Sequence, residues 1–137
     1  MTPSLFSGLN YWAVLAAAVS AFVIGGLWYS PVLFGRIWQR ETGLTDAQLQ
    51  AGNPARTFGV SFVLALVAAL ALAALLGPEP SLARALQVAV VSGAAFVGTS
   101  FGINYLFEHK SLTLFLLNAG YYLAQFTVVG LILGLWP

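Results

Sequence analysis

The sequence predicts an all-α membrane protein, a compact bundle of four transmembrane helices with a short interfacial amphipathic helix between helices 1 and 2. Three observations predict it. Of 137 residues, 60% are hydrophobic and 7% charged, and the mean hydropathy is +0.90, far from the balance of a water-soluble domain. The five Lys or Arg and four Asp or Glu residues are gathered into short segments between long uncharged stretches. Four of those stretches, residues 10–30, 57–76, 82–107 and 112–136, reach the ~20 apolar residues that a helix needs to cross ~30 Å of hydrocarbon. They form a single domain over residues 1–137, and the absence of alternating polarity excludes strands.

The N-terminal MTPSLFSGLNYW has no Lys or Arg ahead of its apolar run, and the run is longer than a signal-peptide core. The first span is therefore expected to be retained. It ends at Pro31, which lacks an amide donor and disfavours helix at Ser30. In the connector beyond Pro31, Leu33, Phe34, Ile37 and Trp38 share one helical face, with Arg36, Arg40 and Glu41 directed to water and headgroups. Gly43 ends that helix, and Thr45 with Gln48 forms a capping-box pattern for a second short turn. Asn53-Pro54 opens the second span, Gly77-Pro78 stops it, and Ser81 and Ser111 cap the third and fourth. The second span, almost purely Ala, Leu and Val, is expected to be a packing or lipid-facing wall.

Orientation follows from Lys and Arg in the short loops. The first and third connections carry Arg36, Arg40, Arg56 and Lys110, against Arg84 alone on the other side. This bias predicts those two loops in the cytoplasm and both termini outside, while an uncharged N-terminus leaves dual insertion open.

Polar residues inside the spans are the candidate functional groups. In the third span Gly93, Ser100, Asn104 and Glu108 recur at three- or four-residue multiples and so share a side. Ala94, Gly98 and Gly102 form a small-residue ladder on nearly the opposite side, suited to close helix approach. In the fourth span Ser111, Asn118, Tyr121, Tyr122 and Gln125 fall within roughly a third of the circumference. Unpartnered amides in hydrocarbon cost several kcal/mol, so this stripe must be bonded. The turn at His109-Lys110 makes the two spans antiparallel neighbours, so Ser100, Asn104 and Glu108 are the expected partners, with Glu108 also pairing to Arg36 or Arg40. Gly130 and Gly134 form another close-packing pair. The stripe admits two interpretations: dry hydrogen bonding that fixes the bundle, or the wall of a wet cavity that admits a substrate or ion.

Several functions are disfavoured. A net charge of +1 without a basic stripe offers nothing to nucleic acid. Without cysteine there is no disulfide, thiolate nucleophile or thiolate metal site, and the solitary His109 makes no metal centre. No nucleophile elbow, phosphate loop or HExxH occurs, so neither an enzyme nor a cofactor is expected.

The stretch GGLWYSPVLFGRIW places Trp28 and Tyr29 where interfacial aromatics anchor a helix end, yet an aromatic belt does not require the whole succession. LWYSPVLFGRIW with ETGLT behind it, and INYLFEHKSLTLFLLNAGYYL with the closing GLILGLW, resemble the bacterial membrane family catalogued as domain of unknown function 1761. The matching positions are Trp28, Tyr29, Ser30, Pro31, Gly35, Trp38, Phe107, Glu108, Asn118, Gly120 and Tyr121. The resemblance implies a compact four-helix protein of the bacterial cytoplasmic (inner) membrane and no particular activity. The candidate polar site comprises Tyr29, Ser30, Asn104, Glu108, Asn118, Tyr121, Tyr122 and Gln125, flanked by the interfacial motif Trp28, Pro31, Arg36 and Trp38, the two meeting on the inner side. The expected function is an oligomeric transporter or channel for a small solute, since four helices rarely enclose a path alone. The alternative is a structural, accessory or lipid-binding scaffold without transport, with Trp28, Trp38 and Arg36 against anionic headgroups. The expected partners are the bilayer, further copies of the chain and an unidentified small molecule or lipid.

Overall fold

In the computed structural model, which describes residues 4–137, the regular structure is all helical, preceded by a turn over residues 5–8. The order is α1 (Tyr11–Trp28), α2 (Gly35–Thr42), α3 (Asp46–Gln50), α4 (Pro54–Leu76), α5 (Leu82–Val91), a π-helical turn (Ser92–Gly98), α6 (Thr99–Phe107) and α7 (Leu112–Leu135). Among the described residues, four helical units are long and apolar enough to cross a membrane: α1, α4, the continuous Leu82–Phe107 and α7. The chain is thus a multi-pass membrane protein with a short helical connector between its first two spans.

Local chemistry accounts for the boundaries. The side chains of Asn10, Asn53, Ser81 and Ser111 accept hydrogen bonds from the exposed amides of Ala13, Arg56, Arg84 and Leu114. Thr45 and Gln48 form a reciprocal capping box, and Gly43 terminates α2 at φ 73°. Within α2, Ile37 and Trp38 are half-buried and Arg36 and Arg40 exposed, so the helix is two-faced as its sequence pattern requires. Leu33 departs from the expected apolar face, being 47% exposed in the turn ahead of the helix.

The core lies at one end of the bundle. Ala13, Ala17, Leu72, Ala85, Ala89 and Leu133 are among its members, all in the half nearest the termini. Small side chains let the backbones approach there. A Cβ added to Gly130 would lie 2.9 Å from the Ala85 carbonyl oxygen, and one added to Gly134 would lie 3.0 Å from Leu82 Cα. The same end is tied by Asn10, whose Nδ2 donates to the Trp136 carbonyl at 3.1 Å while its Oδ1 caps α1.

The π-helical turn corrects the expected face of the third span. An i→i+5 turn holds one residue more than an α turn, so the helix beyond it is rotated by about 100° relative to an unbroken α-helix. Gly93 and Gly98, five residues apart, are both buried, and a Cβ on Gly102 would meet Phe115 of α7 at 3.3 Å. Glycines expected on opposite sides therefore form one seam against α7. Ser100, Asn104 and Glu108 are turned outward and exposed instead. The hydroxyls of Thr99 and Ser100 donate back to the carbonyls of Ala95 and Phe96 at 2.7 and 2.6 Å, satisfying acceptors of the distorted turn.

Candidate functional site: a polar-floored cleft at the connector end

The connector folds back onto α1 through its own backbone. The amides of Leu33 and Gly35 both donate to the Ser30 carbonyl, at 3.1 and 2.9 Å, and Phe34 N–H donates to Trp28 O at 3.0 Å. A Cβ at Gly35 would overlap the Tyr29 carbonyl oxygen, so only glycine closes this turn. Pro31 occupies the exposed outside of the turn. Ser30 is consumed locally, its Oγ donating to the Leu27 carbonyl at 2.7 Å.

That fold-back lays the aromatics of the opening motif onto α7. Trp28 Nε1–H donates to the Leu117 carbonyl at 3.0 Å, and its ring would meet a Cβ on Gly120 at 3.2 Å. Trp28 and Tyr29 are accordingly half-buried against the bundle. The Tyr29 hydroxyl donates to Asn118 Oδ1 at 2.7 Å, and Asn118 Nδ2 donates to the Tyr105 hydroxyl, also at 2.7 Å. The Tyr121 hydroxyl donates to the Ala21 carbonyl at 2.9 Å, in the space that Gly25 leaves by lacking a side chain. Rings connect these groups: Tyr29 with Tyr121 at 5.2 Å, Tyr29 with Trp38 at 5.9 Å, and Tyr122 stacked on Phe101 at 5.3 Å.

Beside this cluster lies a cleft of about 780 Å³ between α1, α4, α6 and α7. It exists because α4 leaves the bundle on its way to the connector. Residues 54–61 of α4 are all exposed, and Phe22 of α1 reaches across to Phe58 and Phe62 at 6.4 and 5.8 Å. The walls are apolar and largely aromatic, whereas Tyr29, Asn118, Tyr121, Tyr122 and Gln125, with Thr57 and Ser61 across from them on α4, supply the polar surface. Gln125 is 5% exposed, and its Oε1 is the buried side-chain atom without a hydrogen-bond partner among the described residues.

Of the residues predicted for the site, Tyr29, Asn118, Tyr121, Tyr122 and Gln125 come together, with Trp28 and Trp38 alongside. Asn104 and Glu108 do not, because the π turn rotates them outward. Arg36 is exposed on α2, and Arg40 pairs with its neighbour Glu41 at 3.7 Å instead of with Glu108. The connector does reach the start of the fourth span, but through Glu41, whose Oε2 accepts from Ser111 Oγ at 2.8 Å. Sequence reasoning missed Tyr105 and Phe101. Counted from Gly98 at α-helical spacing both fall on the α7 side, so the five-residue step from Gly93 to Gly98 was their signal.

Fold and site together define a four-span membrane protein whose helices are closed at one end and parted at the other around a polar-floored cleft. The chain belongs to the family described as Protein of unknown function (DUF1761), which matches over residues 12–134. No curated protein and no solved structure matches it.

Proposed function

We propose that this protein is a carrier for a small, predominantly apolar solute, which it binds in the cleft at the connector end. The observation that carries this reading is the cavity of about 780 Å³, a volume within the range of small-molecule sites, lined by apolar rings with a few convergent polar groups. A blind cleft suits a carrier better than a channel, since the Ala-rich core closes the path towards the termini. On this reading the cleft's mouth faces the cytoplasmic side of a bacterial inner membrane, which the excess of Lys and Arg in the first and third connections supports. The stretch of α4 that borders the cleft through Thr57, Phe58 and Ser61 is exposed, and a second copy seated against it would complete the wall, so the working unit is taken as a homo-oligomer. Binding and passage, rather than chemical conversion, are what this wall of phenols and carboxamides suits.

The test is flux into proteoliposomes for a panel of uncharged solutes, comparing wild type with Ala68→Trp, which fills the cleft from α4. At least one solute should cross faster with wild type than with the filled variant. Equal rates for every solute would leave the scaffold reading, which one observation favours: Asn118 has both ends of its amide bonded, to Tyr29 and Tyr105, as a purely structural clamp would.

A further inference from the structure

Resting on the binding role of the cleft, we infer that its ligand is an uncharged amphiphile whose polar end donates a hydrogen bond to Gln125. The polar floor is unevenly satisfied. Asn118 accepts from Tyr29 and donates to Tyr105, while the Tyr121 hydroxyl is spent on the Ala21 carbonyl. Gln125 Oε1 is left as a buried acceptor to which nothing among the described residues donates. Buried acceptors of this kind are uncommon in folded proteins because the lost solvation is not recovered. Gln125 also lines the cavity, and a half-turn of its carboxamide about the Cγ–Cδ bond brings Oε1 from its closed niche to the cleft, where an arriving donor reaches it.

The rest of the lining defines that donor. Among the described residues no Asp, Glu, Lys, Arg or His borders the cleft, so a carboxylate or ammonium would lose its hydration with no counter-charge to replace it. The polar end of the ligand is therefore neutral: an alcohol, a phenol or an amide N–H. Its body is apolar, because Phe22, Phe58, Leu64, Phe101 and Phe126 supply most of the wall. Gln125 sits next to Phe126 and one turn beyond Tyr121, where the cleft gives way to the Ala-rich core, so the polar head goes in first. A long-chain alcohol has this chemistry whether it comes from the bilayer or from an imported solute.

Three photoreactive probes of equal chain length test the inference in phosphatidylcholine nanodiscs: a diazirine-bearing dodecanol, its methyl ether and the corresponding dodecanoate. Labelled peptides are mapped by mass spectrometry. Dodecanol should label the cleft walls around Phe58 and Phe101 roughly fivefold more than the ether, which accepts but cannot donate, or the carboxylate. Gln125→Leu should bring dodecanol labelling down to the ether level while leaving ether labelling unchanged. Equal labelling by alcohol and ether in wild type overturns the inference and assigns the acceptor to a bound water, and this comparison needs no variant to fold. Unchanged alcohol labelling in a Gln125→Leu protein of wild-type helicity overturns it equally. If none of the probes labels the cleft above the lipid-facing surface of α4, the binding role itself falls; if all three label it alike, only the selection for a donor falls. A donor supplied by membrane lipid shows as labelling that declines when unlabelled monoacylglycerol is added to the disc, and one supplied by a solute shows as labelling that declines with added soluble alcohol.

Discussion

The half of the bundle near the termini and the half near the connector are built by the same four spans, yet they pack by opposite means. Near the termini, Ala85 and Ala89 sit against Gly130 and Gly134, and backbone lies nearly on backbone. Near the connector, Tyr29, Trp28, Tyr121 and Tyr122 hold the helices apart with rings and tie them with hydroxyls and amides. Lipid is as apolar as a leucine side chain, so helices in a membrane associate through close packing or polar bonds rather than by escaping solvent. One end of this molecule uses the first device and the other end the second. Only the second leaves room for a guest.

Substitutions that damage one end and spare the other break this comparison most directly. The largest effect is expected from Gly130→Leu, since even a Cβ there overlaps Ala89 and a larger side chain has nowhere to go. Overpacking of this kind costs about 1–3 kcal/mol or more, and thermal unfolding in detergent should show a clear loss of stability. Next comes Asn118→Leu, which strands the hydroxyls of Tyr29 and Tyr105. Its cost should be about 1 kcal/mol, because polar bonds between membrane helices average about 0.6 kcal/mol. Faster hydrogen exchange confined to the connector would register it, and exchange that rises equally at both ends would contradict the division into halves. Gln125→Leu sharpens the contrast by its sign: removing an acceptor that has no partner among the described residues should hold or raise the melting temperature even as ligand binding falls. The smallest effect belongs to Glu108→Gln. With an exposed carboxylate outside the cluster, both stability and solute flux should match wild type, and a lost flux would return Glu108 to the site.

The division was partly legible in the residues alone. Caps and stops at Thr45, Asn53-Pro54, Gly77, Ser81 and Ser111 depend on contacts within one turn, so a linear pattern carries them. The stripe of Asn118, Tyr121, Tyr122 and Gln125 was legible for the same reason, because α7 keeps an unbroken α-helical period over Leu112–Leu135. Its partners were not. Projecting the third span at 3.6 residues per turn chooses Asn104 and Glu108, and one wide turn moves the choice to Tyr105. The cleft was illegible for a different reason: it depends on how far α4 leans from its neighbours, and an Ala, Leu and Val helix carries no mark of its tilt. The fold-back of the connector likewise rests on Gly35, whose need for a bare α-carbon shows only when the Tyr29 carbonyl is beside it.

The wide turn at Ser92–Gly98 also means that the third span carries one residue more than its path requires. Chain length and helix phase are thereby uncoupled at this place in the span. A single-residue deletion within the turn tightens it to an ordinary α-helix and leaves Tyr105 facing Asn118. The same deletion between Thr99 and Asn104 of α6 carries Tyr105 round towards lipid. Shortened chains of these two kinds should differ sharply in folding yield, and the third span is where a loss of one residue is best tolerated.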